Sequence, residues 1–161
     1  PLAVDWVRFR SKKRWSMGCD NQDGRLVGCR VLIVEDDFLI ADDFTRRLLA
    51  AGAHILGPAA TLDSARALCE QHPAPDVAVL DVNLRGTLVF PLAEQLVRDG
   101  IPFLFCTGYG DDPMAGRFKG VTRFEKPLSH QAFSHLIGEL AEMHRRLRPP
   151  ASRSGPAHLP M

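Results

Sequence analysis

Residues 31–37 read Val31-Leu32-Ile33-Val34-Glu35-Asp36-Asp37, an unbroken apolar run that ends abruptly in three acids. A strand with one wet face alternates apolar and polar side chains, so a continuous run points to burial on both faces, the habit of parallel sheets covered by helices. The acids mark where the strand leaves that interior. The same pattern recurs at DVAVLD (76–81) and PFLFCT (102–107), more briefly at HILG (54–57), and in VTRFE (121–125), which runs into Lys126-Pro127.

The stretches between these runs carry helical periodicity. Phe38 to Ala51 places Ile40, Phe44 and Leu48 on one face, with Gly52 as its stop. Thr61 is suited to cap a helix bearing Leu62, Ala65, Leu68 and Cys69. After Gly86 and Thr87 a helix presents Leu88, Leu92 and Leu96, and Pro91 is tolerated in its first turn. Ser129 caps a long final helix with Phe133, Leu136, Ile137, Leu140 and Leu147 on one side. One link is weak: GYGDDPMAGRFKG (108–120) has four glycines, a proline and little helical period, which predicts a loop or a single turn. Strands alternating with helices in this way predict a doubly wound parallel sheet, with ligands bound beyond the carboxyl ends of the strands.

The folded unit expected from this pattern covers residues 29–147 of the 161. Residues 1–28, with the basic run RFRSKKR, read as a flexible arm, and Met17 offers an alternative beginning to the chain. Residues 148–161, rich in Pro, Ser, Gly and Ala, read as a disordered tail. With 45% hydrophobic and 24% charged residues, the composition is that of an ordinary globular domain. The apolar runs are too short to span a bilayer, and a soluble, cytoplasmic protein without membrane contact is expected. A net charge of +1 gives no reason to expect a nucleic-acid partner. The four cysteines form no CxxC pair and are expected to be reduced thiols, while the six histidines show no HExxH or paired ligand spacing.

The chemistry-bearing residues lie at strand ends: Glu35, Asp36 and Asp37 after the first strand, Asp81 after the third, Thr107 after the fourth, and Lys126 after the fifth. A parallel sheet brings these ends to one edge. Crowded carboxylates need a countercharge to stay ionised, and hard oxygen ligands suit Mg²⁺, with Lys126 balancing the remainder. An aspartate flanked by a metal, a lysine and a hydroxyl is equipped to accept a phosphoryl group, because its ionised oxygen needs no general base.

VLIVEDD, VAVLDVNL, FCTGYG and EKPL, in this order, resemble the receiver domain of two-component response regulators over about residues 29–147. The resemblance implies a flavodoxin-like, doubly wound, five-stranded parallel sheet with a weak or missing fourth helix. It implies Asp81 as phosphoacceptor, Glu35 and Asp36 as the acidic pair for Mg²⁺, and Asn83 as the donor of a main-chain carbonyl to the metal. It also implies Thr107 as the hydroxyl that follows the phosphoryl group, and Lys126 as the lysine before a cis proline peptide. IPFLFCTGYG (101–110) looks like the PFxFATGY signature of single-domain regulators of alphaproteobacteria, with Cys106 in place of Ala. Arg123 stands where most receivers carry an aromatic switch residue, and Tyr109 is a candidate to cover the phosphorylated site instead.

The resulting expectation is a single-domain response regulator, a phosphoacceptor and not a turnover enzyme. Its phosphoryl group would come from a sensor histidine kinase or a histidine phosphotransfer protein, and its output would be a downstream protein partner or a phosphate sink. A homodimer is compatible with this reading. Two alternatives compete: a receiver-like module that binds partners without phosphorylation, and a haloacid-dehalogenase-type phosphatase. The phosphatase would need a second acid where Asn83 stands, and a nucleophile nearer the start of its fold.

Overall fold

The computed structural model describes residues 24–71, 73–108 and 117–147. In chain order these form β1 (Arg30–Val34), α1 (Phe38–Ala50), β2 (His54–Ala59), α2 (Leu62–Cys69) and β3 (Val77–Asp81). There follow β4 (Asn83–Leu84), β5 (Thr87–Leu88), α3 (Phe90–Arg98), β6 (Phe103–Thr107), β7 (Arg123–Glu125) and α4 (His130–Leu147). Five strands make one parallel sheet, as the alternation of apolar runs and helices predicts, in the order β2-β1-β3-β6-β7.

Period-2 alternation divides the interior of the sheet between its two faces. Leu32, Val34, Ala78, Leu80, Phe103 and Phe105 point to the face covered by α2 and α3. Val31, Ile33, Val77, Val79, Leu104 and Cys106 point to the other, under α1 and α4. Both sets are buried, which is why the strand sequences are apolar without a break. On the first face Phe90, Phe103, Phe105 and Phe118 meet largely edge to face, with centroids 5.3–6.5 Å apart.

Helix ends follow local chemistry. Thr61 and Ser64 form a reciprocal capping box at α2, and the Ser129 hydroxyl accepts the Ala132 N–H at the start of α4. At the end of α1, Gly52 (φ +90°) sends its N–H to Leu49 O while Ala53 reaches Leu48 O, the paired bonds of a Schellman motif. Gly100 (φ +71°) ends α3 in the same way, with bonds to Val97 O and, from Ile101, to Leu96 O.

Three details differ from the sequence expectations. Leu88 belongs not to α3 but to a two-stranded ribbon, β4 with β5, turned by Arg85 (φ 51°) and Gly86 (φ 90°), and is partly exposed. Positive φ at both central residues is the geometry that matches hairpin twist, and two-residue strands are too short to show a period in sequence. Strand β2 runs two residues past HILG, to Ala59. Residues 24–28, assigned above to the arm, form a turn whose Leu26 is fully buried in the core between the sheet, α1 and α4, with its N–H bonded to Ala51 O at 2.8 Å. Leu26 and Val27, lying between Gly24 and Gly28, are too short an apolar stretch to show a period. The rest of the expected arm, the Pro-rich tail, and the 109–116 part of the weak fourth-helix region lie outside the described residues.

Burial pushes the thiols of Cys29 and Cys106 up to about 12, so both are protonated at neutral pH in the absence of a metal. Leu26→Ala should cost about 2–5 kcal/mol in urea unfolding, whereas Val27→Ala, at a residue 65% exposed, should stay within about 0.5 kcal/mol. Equal, negligible effects would place residues 24–28 outside the folded unit.

Candidate functional site

The register of the sheet decides which side chains meet. Val34 is paired with Leu80, so the next residues, Glu35 and Asp81, leave the sheet side by side. Asp81 is level with Cys106 and Cys106 with Phe124, which brings the chain two residues on, at Lys126, over the same edge. The Lys126 N–H is fixed to Thr107 O at 2.8 Å, and the Lys126-Pro127 peptide is cis, as the resemblance implied.

The Lys126 ammonium donates to Glu35 Oε2 at 2.7 Å and to Asp81 Oδ2 at 2.9 Å. All three side chains are nearly out of water, at 12%, 4% and 9% exposure. The remaining oxygens also have donors: the Asp37 N–H reaches Glu35 Oε1 at 3.1 Å, and the Asn83 N–H reaches Asp81 Oδ1 at 3.2 Å. Burial is the largest influence on Glu35 and holds its carboxyl above the usual range, although Lys126 and the Asp37 N–H pull it down. Burial alone would lower Lys126, but its bonds to Glu35 and Asp81 outweigh that and raise it, so the ammonium stays charged.

Oxygens of Glu35, Asp36 and Asp81 lie within 4.8 Å of one another. Three carboxylates against one buried ammonium leave an excess of negative charge, and the donors are all hard oxygens. That combination fits a divalent cation of the magnesium type. The Arg85 guanidinium, 80% exposed, lies 3.4 Å from Asp36 Oδ2 and 3.4 Å from Asp36 O, so the ribbon turn partly offsets that excess.

Of the residues singled out in the sequence, the structure gathers Glu35, Asp36, Asp81 and Lys126 into one cluster. Asn83 adjoins it through its N–H, while its side-chain oxygen accepts the Gly86 N–H at 2.6 Å and closes the ribbon turn. Thr107 ends β6 at the same edge, with its hydroxyl donating to Gly108 O at 3.1 Å. Asp37, grouped above with the strand-end acids, instead caps α1, accepting the N–H groups of Leu39 and Ile40. An acid immediately before an amphipathic run is itself a capping signal. Arg123 is partly buried and sits opposite Phe105 at the start of β7. Tyr109 lies outside the described residues. Arg85 was not legible as a site residue, because only the hairpin turns it back toward Asp36.

No protein-family model matches the chain. Nodulation protein W of Bradyrhizobium diazoefficiens is 32% identical over 126 residues, covering 73% of this chain and 53% of that protein. The chain thus spans about half the length of this curated relative. SdrG from Sphingomonas melonis Fr1 superposes with a TM-score of 0.56 at 35% identity, over 70% of this chain and 95% of SdrG. The BeF3-activated conformation of SdrG aligns as well, with a TM-score of 0.54. The non-phosphorylated receiver domain of HemR from Leptospira biflexa gives a TM-score of 0.61 at 28% identity, over 75% of this chain and 98% of that domain. With five parallel strands in this order and an acid-lysine cluster at their carboxyl edge, the chain belongs to the response regulator receiver domains.

Proposed function

We propose that this receiver takes a phosphoryl group onto Asp81 from the phosphohistidine of a sensor histidine kinase or a histidine phosphotransfer protein, and passes the signal to a protein partner or drains phosphate. The observation that carries this reading is the Lys126 ammonium held between Glu35 and Asp81, with Asp36 beside them. SdrG, which has a BeF3-activated conformation, supports it by similarity. The protein is then a phosphoacceptor that assists its own phosphorylation and dephosphorylation, not an enzyme acting on a separate substrate. No helix among the described residues is long and apolar enough to cross a membrane.

An Asp81 oxygen attacks phosphorus, the bond from phosphorus to the donor imidazole nitrogen breaks, and that nitrogen keeps the electron pair. Asp81 needs no base to remove a proton. Lys126 and the Asn83 N–H hold its two oxygens in fixed directions before the donor arrives, so reorganisation during transfer is small. As the carboxylate becomes an acyl phosphate its charge moves outward, and the ammonium is placed to follow it. Glu35, Asp36 and Asp81, with the main-chain carbonyl of Asn83, would hold Mg²⁺, which when bound neutralises the acids and the phosphoryl oxygens. Thr107, at the mouth of the same edge, is the hydroxyl available to a phosphoryl oxygen once it gives up Gly108 O.

Acetyl phosphate with Mg²⁺ should add one phosphoryl group, read by intact mass, and Asp81→Asn should add none. No mass gain in the native protein would favour a module that binds without phosphorylation.

Lys126→Ala leaves two buried carboxylates facing each other. In EDTA at pH 7 it should lose about 3–5 kcal/mol, the usual cost of breaking a buried pair from one side. Lys126 is raised in the folded state, so its contribution is complete below the unfolded lysine value of about 10.4 and fades as pH rises through the folded value. On the acid side Glu35, already raised by burial, takes up a proton and relieves the repulsion in the variant. The gap between native and variant should therefore narrow by about 1 kcal/mol or more from pH 7 to pH 5 in urea unfolding; a constant gap contradicts the arrangement.

Arg85→Ala frees Asp36 of an exposed ion pair worth at most about 1 kcal/mol. Magnesium affinity measured by calorimetry should rise by up to about fivefold, and a fall would show that Arg85 instead organises the site.

A further inference from the structure

At the opposite edge of the sheet, where β1 and β3 begin and α4 ends, a second set of ligand-type side chains converges. Cys29, Asp76 and His144 each offer one atom, and these atoms lie within 4.8 Å of one another. They come from three separate parts of the chain, and Cys29 is fully buried.

Ordinary hydrogen bonding does not account for the trio. His144 Nδ1 is buried with no hydrogen-bond partner. The nearest carboxylate oxygen, Asp76 Oδ2, stands 3.8 Å away, beyond hydrogen-bond reach. Two ligands on one tetrahedral zinc, each about 2.1 Å from the metal, stand about 3.4 Å apart, somewhat closer than the 3.8 Å seen without an ion. Asp76 is also held in place: its Oδ2 accepts the Arg30 N–H at 2.8 Å and its Oδ1 the Arg30 guanidinium at 2.9 Å. Outer contacts of this kind orient a ligating carboxylate.

We propose that Cys29 Sγ, Asp76 Oδ2 and His144 Nδ1 form a tetrahedral site for a zinc-type transition-metal ion, with water as its fourth ligand. Thiolate, imidazole and carboxylate together select zinc-type ions over magnesium, which prefers oxygen throughout. On binding, the Cys29 S–H bond is exchanged for a sulfur–metal bond and its proton passes to solvent. Thiolate and carboxylate then offset the charge of the divalent ion, with the Arg30 guanidinium remaining on Asp76 Oδ1. The partial exposure of Asp76 and His144, at 20% and 16%, gives the ion a way in from the rim. The site ties α4 to the starts of β1 and β3, and is independent of the phosphoacceptor edge.

Cobalt(II) added to the full chain in excess Mg²⁺ reads the site directly. One equivalent should produce a thiolate-to-cobalt charge-transfer band in the near ultraviolet together with the intense visible bands of tetrahedral cobalt. Zinc should then displace the cobalt and bleach both. Cys29→Ser should abolish the charge-transfer band, while Asp81→Asn should keep it. His144→Gln, with folding checked by circular dichroism, should weaken cobalt binding at least about tenfold. Absence of the charge-transfer band, its survival in Cys29→Ser, or unchanged affinity in His144→Gln would each overturn the proposal.

Discussion

Two buried carboxylates share one ammonium, and the functional edge of this domain is arranged around that fact. Glu35 and Asp81 sit where water is almost absent, and charges there are costly unless paired. Lys126 meets both, at 2.7 and 2.9 Å. The pairing stabilises the site incompletely, since Asp36 adds a third acid that the ammonium does not touch. A cluster left short of positive charge is suited to take up a cation, and then to respond when one acid changes its chemical form.

That arrangement depends on backbone register more than on the side chains themselves. Parallel pairing of Val34 with Leu80 sets Glu35 beside Asp81, and the bond from the Lys126 N–H to Thr107 O fixes the lysine backbone above them. A slip of one residue in β3 would turn Asp81 toward the opposite face of the sheet. The apolar residues of β1, β3 and β6, divided between two helix-covered faces, resist such a slip because it would exchange the two interiors. Packing in the middle of the sheet thereby sets distances at its rim.

Much of this was legible in the sequence because parallel strands buried on both faces have a distinctive composition. Apolar runs ending in Glu35, Asp81 and Thr107 disclosed both the sheet and its reactive edge. Features that arise from short or distant contacts were not legible. Arg85 enters the site through a two-residue turn, Leu26 packs from outside any periodic segment, and Asp37 was read with the acids although it caps α1. Cys29, Asp76 and His144 share no spacing, and only the fold brings them together.

The burial of Leu26 has a geometric corollary. Its backbone is pinned to the last turn of α1, at the pole of the sheet away from Asp81. Residues 24–28 therefore lie at the far end of the domain from the Asp81 rim. A fluorophore or affinity handle attached on that side would report on the molecule without standing in the path of an incoming donor.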